Sequence, residues 1–210
     1  MRLFAYGCSF TYGAFLEELR EGLLGDIGSI SQDSWPNVLG KLIGADGTYN
    51  QGICGASNKE ILYKFLFDIT HFNITKDDIV VFMWTFDHRY GFILDEYPNI
   101  HWRKIVPEDP ACMDFYVNYS CTVHDYKYEF FRACNHAHLY CEHLGIRNFH
   151  STVDSTMIKN IPDWNLVDFG EEFTDMVHIQ NKHPLALDNS HPGKLAHKEF
   201  AELCALRMKI

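Results

Sequence analysis

The sequence predicts an α/β domain of three layers, a parallel sheet held between two layers of helices. Three observations lead there. Short runs that are apolar at every position alternate with longer segments of helical period. Strands apolar on both faces belong to a sheet covered on both sides. The 210 residues also suffice to bury one sizeable core, about 70% of the unfolded surface, with no disulfide or metal to staple it. The expected organisation is a single domain over residues 1–210 with an aromatic-rich insertion at about 88–124.

The first apolar run is residues 3–6, Leu3-Phe4-Ala5-Tyr6, preceded only by Met1 and Arg2. It has no signal-peptide organisation, so the chain is expected to begin where its fold begins. Ser34-Trp35-Pro36 opens a helix with a cap and an early proline, followed by Val38, Leu39, Leu42 and Ile43. A short strand at 48–50 precedes a helix capped by Ser57 or Asn58, with Ile61, Leu62, Phe65, Leu66 and Ile69 as its stripe. The third strand is 79–84. A long helix over about 125–144 stops at Gly145, and the fourth strand is 146–149. The last helix is expected to begin at Pro192 and to carry Leu195, Phe200, Leu203 and Leu206.

Two stretches, 88–124 and 151–187, break this alternation. Loops of that length are functional insertions or hide short elements. The first holds Tyr90, Phe92, Tyr97, Trp102, Phe115, Tyr116 and Tyr119. It reads either as a substrate lid or as an apolar face buried against a second subunit of a homo-oligomer.

Eighteen Lys and Arg against 28 Asp and Glu leave a net charge of −10. Such a surface repels phosphate backbones, which speaks against nucleic-acid binding. No apolar run approaches the roughly 18 residues that would span a bilayer. The seven cysteines form no C-x-x-C pair, so no zinc ribbon or thioredoxin motif is present. Free thiols packed as small hydrophobes fit a reducing compartment, hence cytoplasmic synthesis, without excluding assembly into a virion.

In an open parallel sheet, ligands bind beyond the carboxyl ends of the strands. The residues there are Gly7-Cys8-Ser9-Phe10-Thr11-Tyr12-Gly13, then Asn50 to Asn58, then Trp84 to Arg89; Asp188-Asn189-Ser190-His191-Pro192 precedes the last helix. Together they supply a nucleophilic constellation. Ser9 is a hydroxyl in a Gly-flanked turn, His191 is a base for its proton, and Asp188 can fold back to orient the imidazole. Pro192 holds His191 extended. The backbone N–H groups of Ser9 and Gly55 are the natural oxyanion donors.

These blocks resemble those of the SGNH (GDSL-like) hydrolase superfamily: Ser9 matches its first block, Gly55 its second, and Asp188 with His191 its last. The resemblance implies a flavodoxin-like α/β/α fold. It also implies a serine esterase with an acyl-Ser9 intermediate, acting on small-molecule or carbohydrate esters and often removing O-acetyl groups. Compact chains with a tryptophan in the third block resemble phage-encoded members. Thr11 stands where the G-x-S-x-G elbow of the α/β-hydrolases needs glycine, so that family is excluded.

The third block departs from the family's G-x-N-D, whose Asn donates to the oxyanion. Here it is Trp84-Thr85-Phe86-Asp87. Thr85 or Arg89 is the candidate replacement, and loss of one such donor costs about 10²–10³ in rate. Trp84 and Arg89 are candidates to line a sugar subsite; the plainer reading is a core tryptophan and a salt-bridged arginine. Cys8 points away from the site if Ser9 points into it. Twelve histidines invite a metal, but His136 and His138 face different sides of one helix. His178, His183 and His197 have no acid or thiol at a ligand spacing, and neither metal nor cofactor is expected. Two readings from different classes remain: a serine esterase on O-acylated carbohydrate, and a catalytically silent module of the same fold serving binding or structure.

Overall fold

A computed structural model describes residues 1–17, 30–93, 102–105, 123–159, 161–163, 165–169 and 175–209. Its centre is a parallel sheet of β1 (Arg2–Gly7), β2 (Gly47–Gly52), β3 (Ile79–Trp84) and β6 (Arg147–Thr152), ordered β2-β1-β3-β6. The chain runs outward from β1 to β2 and then crosses back to β3 on the other side. That reversal is the switch point at which α/β sheets open a crevice.

Register aligns Tyr49 with Phe4, Tyr6 with Phe82 and Phe82 with His150. Side chains alternate along a strand, so these residues and Trp84 form one aromatic layer. Phe4 stacks on Tyr49 at 4.6 Å, Tyr6 on Phe82 at 5.6 Å, and Phe82 on both Trp84 and His150 at 5.0 and 4.9 Å. Helix α3 (Asn58–His71) covers this face through Phe65, edge-on to Tyr6 and Phe82. It packs beside α4 (Val123–Leu144). On the opposite face α2 (Trp35–Leu42) packs against α6 (Lys194–Met208), with Trp35 edge-on to Phe200 at 5.2 Å. The expected three-layer architecture is what the chain adopts.

The element ends differ from expectation in informative ways. Ser57 is the cap of α3, its hydroxyl accepting from the Glu60 N–H, which leaves Asn58 free for another task. Ser34 stands at the cap of α2, but its hydroxyl accepts from Asn50 Nδ2 instead of the helix. The fourth strand of the sheet lies at Arg147–Thr152, displaced from 146–149, because Ile146 closes the α4 turn by bonding Cys141 O. The last helix begins at Lys194, not Pro192. Gly193 is its cap, and Pro192 bridges Leu185 while His191 O accepts from Ala186 N–H. Its buried face is Ala196, His197, Phe200, Ala201, Cys204 and Met208, whereas Leu195, Leu203 and Leu206 are exposed. Small residues let α6 lie close to α2, so the leucines face outward.

The irregular stretches do hide short elements. A hairpin of β4 (Tyr90–Ile93) and β5 (Trp102–Ile105) opens the aromatic insertion. A 3₁₀ turn (Ser155–Ile158) and α5 (Met176–Gln180) lie in the second stretch. Tyr97, Phe115, Tyr116, Tyr119, Cys112 and Cys121 fall outside the described residues. Among the described cysteines, Cys8, Cys134, Cys141 and Cys204 are buried and Cys54 is half-buried, and none of them belongs to a disulfide.

Candidate active site

Ser9 lies two residues past β1, at the first position of the one-turn helix α1 (Ser9–Tyr12), with Cys8 as its cap residue. The turn is tight because β2 presses against it. A side chain at Gly52 would stand 2.3 Å from the Tyr12 backbone nitrogen, so only glycine fits there. Asn50, from the same strand, ties the turn down by donating to Thr11 O at 2.8 Å. Cys8 is fully buried, as the alternation of side chains requires.

His191 reaches Ser9 from the loop before α6: its Nε2 is 3.0 Å from Ser9 Oγ. Its Nδ1 is 2.6 Å from Asp188 Oδ2. Asp188 bends back over a turn whose central Asn189 has φ 56°, and its Oδ1 accepts from the backbone N–H of both Ser190 and His191 at 3.1 Å. The Ser190 hydroxyl also donates to Asp188 Oδ2 and lies 3.1 Å from His191 Nδ1. Burial raises the Asp188 carboxyl, but these donors outweigh it and hold the group well below the ordinary carboxylate range. An ionised carboxylate only accepts, so His191 Nδ1 carries the proton and Nε2 is left as acceptor for Ser9 Oγ–H. The array can therefore move a proton from serine to imidazole.

Gly55 follows β2 with φ 72°, a left-handed conformation that glycine adopts without penalty. The arrangement brings Ser9, Asp188 and His191 into one hydrogen-bonded line. Sequence reasoning missed Ser190, because a serine between two motif residues carries no pattern of its own.

Two assignments need correction. Trp84 is fully buried, stacked on Phe82 and His150, and its Nε1 donates to His150 Nδ1 at 2.9 Å. It belongs to the core and lines no subsite. Thr85 is fully buried too. Its N–H donates to Asn58 Oδ1 at 2.8 Å, its carbonyl accepts from Asn58 Nδ2 at 3.0 Å, and its hydroxyl accepts from Arg89 at 3.0 Å. With no exposed surface and its amide engaged, Thr85 does not fill the place of the missing Asn. Asn58 is instead the strut that fixes the end of β3 to the start of α3. Arg89 is half-buried against the Thr85 hydroxyl and the Phe86 ring, 5.0 Å from its centroid, and forms no salt bridge to an acid among the described residues.

His136 is exposed while His138 bonds Asn148 Oδ1 at 2.9 Å, consistent with opposite faces of α4. His183 does find an acid, Glu199 Oε2 at 2.6 Å, brought from sixteen residues away by the fold. No group of three potential metal ligands occurs among the described residues, and no described helix is long and apolar enough to cross a membrane.

No family model and no curated protein sequence matches the chain. Solved structures do. A G-D-S-L family protein from Desulfitobacterium hafniense shares 14% identity at a TM-score of 0.54, covering 98% of each chain. A W215I acetyl xylan esterase from Geobacillus stearothermophilus shares 15% at a TM-score of 0.57, over 99% of this chain and 94% of that one. A psychrotrophic esterase from Pseudoalteromonas, inhibited by monoethylphosphonate, shares 10% at 0.54, over 99% and 96%. Near-complete coverage in both directions, together with the parallel sheet and its flanking helices, gives this chain the fold of the SGNH (GDSL-like) hydrolases.

Proposed function

We propose that this protein is a serine ester hydrolase acting on O-acylated carbohydrate, with acetyl as the acyl group removed. The observation that carries the reading is the line Ser9 Oγ–His191 Nε2 at 3.0 Å and His191 Nδ1–Asp188 Oδ2 at 2.6 Å. Acetyl xylan esterases among the structures of like fold support the substrate class.

In the first half-reaction Ser9 Oγ attacks the ester carbonyl while its proton passes to His191 Nε2. The imidazolium that forms is held by ionised Asp188. The carbonyl oxygen becomes an oxyanion facing the N–H groups of Ser9 and Gly55. Collapse breaks the carbon–oxygen bond to the alcohol, which leaves with the His191 proton, and acyl-Ser9 remains. Water, deprotonated by the same imidazole, then attacks the acyl group, releasing the carboxylic acid and restoring Ser9. With Thr85 buried, the oxyanion meets two backbone donors from the proposed set, and turnover is expected to be about 10²–10³ below that of a three-donor site.

Labelling by a fluorophosphonate tests this without knowledge of the true substrate. Stoichiometric labelling of wild type that disappears in Ser9→Ala and His191→Ala is the expected result. Absence of labelling in folded wild type would sink the proposal in favour of a catalytically silent binding or structural module.

A further inference from the structure

Phe15 has φ 62°. For a bulky side chain that is a strained backbone, and strain of this kind persists only where surrounding contacts enforce it. Here they are visible. Ala14 and Leu16 on either side are buried in the core. The Ala14 N–H bonds Ser9 O at 3.1 Å, and the Phe15 carbonyl accepts from Leu187 N–H at 3.2 Å. Pinned on both sides, the half-buried Phe15 has its ring centroid 5.1 Å from that of His191. The ring of Phe10, itself buried beside Ser9, stands 5.5 Å from the same imidazole at 71°.

His191 is thus bounded by two aromatic rings as well as by its two hydrogen bonds. Asp188 and Ser9 engage the two ring nitrogens, and Ser190 Oγ lies 3.1 Å from Nδ1, but these contacts meet the imidazole at its edge and leave its faces to be held by packing. We infer that Phe15 is a positioning residue: its strained backbone holds an aromatic wall against His191 and keeps Nε2 aimed at Ser9 Oγ. The same backbone group ties down Leu187, the residue before Asp188, so one residue steadies both the ring and the loop that carries it. The strain gives a reason for a phenylalanine where glycine would be comfortable, since glycine could make the backbone bond but not the wall. This rests on the hydrolase reading of Ser9 and His191.

Phe15→Gly isolates the wall, because glycine adopts the left-handed backbone freely and keeps the carbonyl that binds Leu187. Expected is a folded variant with kcat on an aryl acetate reduced about 10- to 100-fold, KM within about twofold, and Phe15→Tyr near wild type. An unchanged kcat overturns the inference. So does a loss confined to KM, which would make Phe15 a wall for substrate. If Phe15→Gly fails to fold, Phe15→Asn, tolerant of the same backbone, takes its place. The proton on His191 Nδ1, followed by NMR, separates this inference from the hydrolase reading. It should be sharp in wild type and Phe15→Tyr and broadened in Phe15→Gly, even in a protein that labels with no fluorophosphonate. One unchanged signal in all three variants would refute the positioning role.

Discussion

Asp188 accepts four hydrogen bonds, two from backbone N–H groups and two from side chains, so its loop keeps its shape when one acceptor is lost. Asp188→Asn is therefore expected to fold normally yet lower kcat by roughly 10⁴, because an amide nitrogen facing His191 Nδ1 favours the wrong tautomer. Steady-state turnover beside a circular dichroism spectrum checks both halves. Asn58 works in the opposite sense, through structure alone. Truncating it to alanine strands the buried Thr85 N–H and carbonyl, which costs about 2–4 kcal/mol in denaturant unfolding. Trp84→Ala should cost about 3–5 kcal/mol by the same measurement, as a large core ring removed from a close-packed aromatic layer does. A Trp84→Ala variant of undiminished stability would contradict this core role.

At the scale of elements, the capping of α3 and the orientation of α6 decide what substitutions do. Ser57→Ala removes the acceptor for Glu60 N–H and is expected to lower stability by about 1 kcal/mol. Along α6, Phe200 carries the packing against Trp35 while Leu206 is 76% exposed. Leu206→Gln should stay within about 0.5 kcal/mol of wild type, which a thermal melt of the variant beside wild type checks. The helices α2 and α3 were legible because a capping residue, an early proline and an apolar stripe coincide from Ser34 to Ile43, and a capping residue and an apolar stripe from Ser57 to Ile69. The inner face of α6 was not. Its leucines suggest a core stripe by hydrophobicity, yet close approach to α2 selects Ala196, Ala201 and Cys204 for the interior.

For the molecule as a whole, two buried histidines set the response to acid. Burial, reinforced by His191, pushes His197 down to about 3. Burial, with His138 and Arg207 adding repulsion, holds His150 well below its ordinary value. The unfolded chain takes up both protons near pH 6.5, while the folded chain does not. Their contribution to stability is complete above that pH and is lost as pH falls below it, for His197 down to about 3, by at most about 1.4 kcal/mol per unit for each group. The urea midpoint at pH 5 should therefore lie below that at pH 7, with His197→Gln reducing the slope. A midpoint constant between those values would mean that neither ring is held neutral by folding.

Alternation of apolar runs with helical stripes was enough to determine the parallel sheet and its two helical layers, because burial on both faces leaves no polar side to a strand such as Ile79–Trp84. Local motif spacing was enough to nominate Ser9, Gly55, Asp188 and His191, since each stands at an element boundary where a strand or loop delivers it. Only the tertiary structure decided which neighbours those residues meet. It buried Trp84 and Thr85, assigned Asn58 to the end of β3, brought Ser190 onto Asp188 and set Phe15 against His191. Strand and helix periods are written within a few residues of chain, whereas exposure and contact depend on segments as much as 182 residues apart, like Ser9 and His191. No local pattern records such a meeting until the sheet has brought its strand ends to one edge.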